Sequence, residues 1–256
     1  MAVLALVLII IGVVLATTLG GGDAAEAQID NAVSILRQME SGDPDHVVQV
    51  IRQQQKNRLA AEREELRDKL LNGEIDVWSQ FQDYVILGDS RASGFYYYNW
   101  LPREPVMAEP GDTIWAIEEH LDEIAAMKPA KAYIAYGGND LAYWSTPQDF
   151  TAEFARLIGE IQARSPGIEI YVSSILRAQS WVTSAGLPKA PEYSAAIQVM
   201  CQENGYTYVD CDSITEEHQD LYESDGMHFK GSFYPYWGTN FILATYYRDA
   251  GDSTAA

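Results

Sequence analysis

An α/β fold is predicted from residue 81 onward by two features of the sequence. Short apolar runs of strand length alternate with stretches whose apolar residues recur at helical spacing, and this alternation is the pattern of a parallel sheet covered by helices on both faces. At 256 residues the chain has room for one core of ordinary size plus a non-globular extension. Residues 84–87, 132–136, 168–173 and 206–209 read as buried strands. Ile114, Ile117, Leu121 and Ile124 mark a helix over 113–127, and Phe150, Phe154, Leu157, Ile158 and Ile161 mark a second. Two more fit 192–203 and 233–248.

Ahead of this domain the composition differs. Residues 2–19 are apolar apart from Gly12, Thr17 and Thr18, roughly the minimum length for a helix crossing a bilayer. Residues 1–22 therefore read as a signal anchor or signal peptide, with the small-x-small triplet at Ala25, Glu26 and Ala27 as a distant candidate cleavage site. Anchoring on the outer side of a cell membrane is expected, with secretion after cleavage as the alternative. Residues 23–80 read as a helical stalk interrupted at Ser41-Gly42-Asp43-Pro44, whose second helix runs from Asp45 to Asn72 and is closed by Gly73. Its stripe of Val48, Ile51, Leu59, Leu66 and Leu70 is too thin to make a core, so it pairs with another helix, in a possible oligomer, or lies along the domain. The domain spans 81–250 and leaves a disordered tail at 251–256.

The charge balance excludes one class of partner. Against 37 Asp and Glu stand 17 Lys and Arg, a formal net charge of −20 that repels nucleic acid. Cys201 and Cys211 are too few for a disulfide scaffold and have no neighbours at zinc-ligand spacing. They read as free thiols, and neither a metal nor a cofactor is implied.

Three motifs fall at predicted strand ends, where open parallel sheets place their ligands. The first strand runs into Gly88-Asp89-Ser90-Arg91. A serine there stands at a helix start, whose unpaired N–H groups stabilise an oxyanion; alone, the triplet equally suits an N-cap. The strand at 132–136 runs into Gly137-Gly138-Asn139-Asp140, where the Asn139 amide is a candidate oxyanion donor, or else a residue of a glycine-rich turn. Near the C-terminus, Asp225-Gly226-Met227-His228 brings a carboxylate beside an imidazole within one loop, so the carboxylate can fix the tautomer of a general base. His46, His120 and His218 have no comparable setting.

Taken in order, the Gly88-Asp89-Ser90 block, the Gly-x-Asn-Asp block at Gly137 to Asp140 and the Asp225-x-x-His228 block resemble the SGNH, or GDSL, hydrolase family, over about 84–248. The resemblance implies a flavodoxin-like three-layer α/β/α sandwich with a five-stranded parallel sheet, its remaining strand around Val106. It implies Ser90 as nucleophile, His228 as general base and then acid, and Asp225 as the residue orienting His228. Ser90 N–H, Gly111 N–H and the Asn139 side chain would form the oxyanion hole, Gly111 being matched through Gly111-Asp112-Thr113. Arg91 replaces the family's usual Leu, which bears on substrate more than on mechanism.

Aromatic residues crowd behind each motif, among them Phe95, Trp100, Tyr143, Trp144, Phe229, Phe233 and Trp237. Such rings either pack the core or stack on sugar faces, and Arg91, Tyr143, Trp144 and Phe229 are candidate substrate contacts. The expected activity is hydrolysis of a short acyl ester, acetyl first, on a carbohydrate or cell-wall glycan. Acyl transfer to a glycan hydroxyl, lysophospholipid hydrolysis and a non-catalytic surface scaffold are the alternatives.

Overall fold

The computed structural model describes residues 44–249. The apolar segment, the first stalk helix and the tail lie outside the described residues. Two compact units divide between Glu65 and Leu66. Helix α1 (Pro44–Leu71) runs across that boundary, and its residues in the first unit are largely solvated: Val48 is exposed, and Ile51 and Leu59 are only half-buried. No helix among the described residues is long and apolar enough to cross a membrane.

The second unit begins at Leu66, ahead of the boundary at residue 81 drawn from composition. Leu70, Val77 and Phe81 are all buried in it, and each such side chain is worth roughly 1.5–3 kcal/mol. Trp78 stacks on Trp100 with centroids 5.0 Å apart. Five strands follow: β1 (Tyr84–Gly88), β2 (Val106–Ala108), β3 (Lys131–Ala135), β4 (Glu169–Ser173) and β5 (Thr207–Val209). They form one sheet in the order β2-β1-β3-β4-β5, every pair parallel. In β1 every residue is buried, as a strand covered on both faces requires.

Alternation along the strands sorts the core into two layers. Val85, Leu87, Ile134, Ile170 and Val172 belong to one apolar cluster with Ile117 and Ile124 of α2 (Ala116–Met127), Phe154 and Ile158 of α3 (Pro147–Arg164) and Ile197 of α4 (Ala190–Asn204). On the other face Tyr133 meets Phe241 of α5 (Tyr234–Asp249), their rings 4.9 Å apart. Phe95, from a single helical turn at Gly94–Tyr97, packs on Trp237 at 5.1 Å. This is the expected three-layer sandwich.

Local chemistry sets the helix ends. Thr146 caps α3 by accepting from the Asp149 N–H, and Pro147 fills the first turn, where no donor is needed. Helix α2 starts at Ala116 rather than 113, because the preceding residues enter a turn whose Ile114 N–H is held by the Asp140 side chain. A short helix at Asp212–Glu217 has no apolar stripe and was not foreseen. Cys201 and Cys211 are buried and unbridged, and burial pushes the Cys201 thiol up to about 12.

Candidate active site

Ser90 follows β1 directly, and its turn is held from several sides. The Arg91 N–H donates to Asp89 Oδ1 at 2.9 Å, and the Ser93 hydroxyl donates to the Ser90 carbonyl at 2.7 Å. From α5, the Tyr234 hydroxyl donates to the Arg91 carbonyl at 2.8 Å. Gly88 is required by close approach: a Cβ there would lie 2.5 Å from the Ala92 Cβ and 2.9 Å from the Ala135 carbonyl oxygen. The second contact is backbone of β3, so a side chain at 88 would displace the serine or the neighbouring strand.

The C-terminal loop brings the other two groups to Ser90. Met227 and His228 N–H both donate to Asp225 Oδ1, at 2.8 and 2.9 Å. Asp225 Oδ2 lies 2.7 Å from His228 Nδ1, and His228 Nε2 lies 2.9 Å from Ser90 Oγ. With Nδ1–H donated to the carboxylate, Nε2 is left to accept from the serine hydroxyl. Desolvation works to raise the Asp225 pKa, but the bonds from His228 and Met227 outweigh it and hold the carboxyl at about 2. The imidazole and carboxylate side chains remain 41% and 42% exposed, so water reaches them.

Asn139 and Gly111 lie on two turns laced together. Asn139 Nδ2 donates to the Asp112 carbonyl at 2.9 Å, which leaves its second amide hydrogen, and the Ile114 N–H donates to Asp140 Oδ1 at 3.1 Å. Gly138 abuts the serine turn, since a Cβ there would lie 3.1 Å from Asp89 Oδ2. Burial pushes the Asp140 carboxyl up to about 7. Asp140 Oδ2 and Trp144 Nε1 are buried without a hydrogen bond of standard geometry, yet the indole N–H is near enough to offset part of that rise. Burial also raises Asp89, against the pull of the Arg91 guanidinium.

Two expected substrate contacts are placed elsewhere. Arg91 is 7% exposed and its guanidinium donates to the Leu176 carbonyl beneath the site; as a charged group off the surface it is held by that bond and by Asp89 rather than offered to a ligand. Phe229 is 1% exposed and stacks on Phe233 at 3.9 Å, so it belongs to the core. Tyr143 is exposed and Trp144 half-buried, as a contact residue requires. Two rings were missed by sequence reasoning. Trp115, exposed, stacks on Trp144; Trp181, also exposed, lies over the catalytic loop, where a Cβ on Gly226 would come within 2.5 Å of its ring. Their one signal was a tryptophan at a position outside any apolar stripe. Among the described residues no group of three His, Cys, Asp or Glu is arranged to hold a metal ion.

A serine at the end of a central parallel strand, bonded to a histidine that is bonded to an aspartate, defines a serine hydrolase. The sequence matches the model of the GDSL-like lipase/acylhydrolase family over residues 86–234, and the chain belongs to that family. No curated protein matches it. Among solved structures, a lipase/acylhydrolase from Enterococcus faecalis superposes with a TM-score of 0.54 at 19% identity, covering 64% of this chain and 95% of its own. An acetylxylan esterase from Geobacillus stearothermophilus gives 0.51 at 14% identity, covering 63% and 92%. A GDSL-like lipase from Bacteroides thetaiotaomicron gives 0.50 at 18%, covering 65% and 88%. At these identities the likeness carries the fold.

Proposed function

We propose that the protein is a serine esterase that removes short acyl groups, acetyl first, from a carbohydrate outside the cell membrane. The observation that carries this reading is the unbroken chain from Ser90 Oγ through His228 to Asp225, at 2.9 and 2.7 Å. His228 takes the proton of Ser90 as the oxygen attacks the acyl carbon, and the oxyanion that forms is held by the Ser90 and Gly111 N–H groups and by Asn139. His228 then passes the proton to the leaving alcohol. In the second half-reaction it deprotonates water, which attacks the acyl carbon, and it returns that proton to Ser90 Oγ as the acyl–oxygen bond breaks. The exposure of His228 and Asp225 favours water as the acceptor.

A carbohydrate substrate is supported by exposed rings around the site, since flat aromatic surfaces suit the apolar faces of sugars. An acetylxylan esterase stands among the structural neighbours. Placement outside the membrane rests on the apolar run at residues 2–19. Replacing Ser90 by Ala should abolish both hydrolysis of p-nitrophenyl acetate and labelling by a fluorophosphonate; retained turnover would dismiss the mechanism. Deleting residues 1–28 should move the protein from the membrane to the soluble fraction, and persistence in the membrane would remove the anchor from the proposal.

A further inference from the structure

A cleft of about 550 Å³ is lined by Tyr143, Trp144 and Ser145 and, from α3, by Asp149, Glu153 and Arg156. Three rings form a ledge at its edge. Trp115 and Trp144 stack with centroids 5.2 Å apart and planes 28° apart, and Tyr143 meets Trp115 edge-on at 6.2 Å. Tyr143 is 68% exposed and Trp115 41%. Adjoining exposed rings of this kind offer a flat apolar surface beside polar groups.

The polar rim is fixed in place. Arg156 Nη2 lies 2.7 Å from both Glu118 and Glu153, and its hydrogen bond to Glu153 holds that carboxyl below its ordinary value. Exposed pairs of this kind add little stability, but they leave a carboxylate and a guanidinium oriented beside flat apolar surface. The ligand that matches both is a neutral pyranose with equatorial hydroxyls, apolar on its two faces and hydrogen-bonding around its edge. Two carboxylates against one guanidinium in the lining disfavour an anionic headgroup.

The ledge also shares its supports with the catalytic turns. Tyr143 and Trp144 follow Asn139 within one loop, and Trp115 follows Ile114, whose N–H is bonded to Asp140. The two turns that carry the rings are thus tied to the turn that carries Asn139.

We propose that this ledge and cleft are the glycan subsite of the enzyme. Trp115 and Tyr143 stack on a neutral pyranose of the chain whose ester enters at Ser90, while Glu153 and Arg156 bind its hydroxyls. The inference rests on the glycan-ester reading and specifies where the glycan lies.

The test is calorimetric titration of the full-length Ser90→Ala chain with xylohexaose and, separately, chitohexaose, which distinguishes a plant from a cell-wall backbone. One of the two should bind, and Trp115→Ala or Tyr143→Ala should each weaken binding about tenfold, near 1.4 kcal/mol. In the catalytically intact chain, the same ring deletions should lower kcat/KM for the acetylated form of whichever sugar binds, relative to p-nitrophenyl acetate, with KM carrying the loss. Failure of both sugars to bind at about 10 mM, or a Kd unmoved by both deletions in variants that keep the wild-type Tm, overturns the subsite. Absence of fluorophosphonate labelling at Ser90 would instead overturn the esterase reading, leaving the binding result to judge the subsite by itself.

Discussion

At the scale of single residues, Asp225 does two things with its two oxygens. Oδ1 gathers the N–H groups of Met227 and His228, and Oδ2 fixes the ring of His228. An asparagine there keeps an oxygen for the backbone but turns an N–H towards Nδ1, which favours the wrong tautomer. Asp225→Asn should lower kcat on p-nitrophenyl acetate by about 10²- to 10⁴-fold in a chain that still folds, and a loss under threefold would show that the carboxylate is dispensable. Because the folded pKa of about 2 lies below the ordinary 3.8, the stability this group contributes is present above pH 4 or so and is lost as pH falls through 2. Which residues belonged to the triad was legible in the motifs, since type and spacing carry that chemistry. That Arg91 and Phe229 turn inward was not legible, because nothing in a sequence says on which side of a turn a long side chain finds its partner. Trp115 and Trp181 were hidden for the same reason.

Among elements, the serine turn depends on α5, the last helix in the chain. Gly94 opens the helical turn after Ser90, and a Cβ there would lie 1.8 Å from the Tyr234 hydroxyl, which is itself bonded to the Arg91 carbonyl. Tyr234 is 2% exposed and cannot swing out to solvent. Gly94→Ala should cost roughly 1–3 kcal/mol by overpacking, read as a lower midpoint in urea, and should reduce activity by shifting Ser90. An unchanged midpoint would mean that α5 does not brace the turn. Four of the five strands and the four long helices of the catalytic domain could be read from periodicity, because each has its own apolar face. The helix at Asp212–Glu217 and the single turn at Gly94–Tyr97 could not, since at four to six residues they hold their shape through neighbours. Strand β2, three residues long, was expected only through the family resemblance.

For the whole molecule, the buried carboxyls add a pH dependence opposite in sign to that of Asp225. Asp140 titrates near 7 in the folded chain against an ordinary 3.8, with burial as the main cause and Asp89 adding to the rise. Between those values the native state holds more protons than the unfolded one, so the contribution of this group to stability is full below pH 4 or so and falls as pH rises towards 7. Asp140→Asn should flatten that decline, with a residual slope from Asp89, whose pKa is also raised. Tm measured from pH 5 to 8 checks this, and parallel slopes in the two proteins would show that Asp140 is not the group responsible.

The sequence by itself determined the α/β class, the helix that leads into the domain and the motifs carrying Ser90, Asp225 and His228, which the fold brings into one hydrogen-bonded chain, because these follow from periodicity and from chemistry carried by short motifs. Only the tertiary structure decided that Leu66 to Phe81 belong to the catalytic unit, that Arg91 is sealed beneath the site, and that Trp115 joins Tyr143 and Trp144 in one ledge. Those outcomes depend on which surfaces meet after the sheet has formed in the order β2-β1-β3-β4-β5, and contacts between residues distant in the chain leave no local pattern to read.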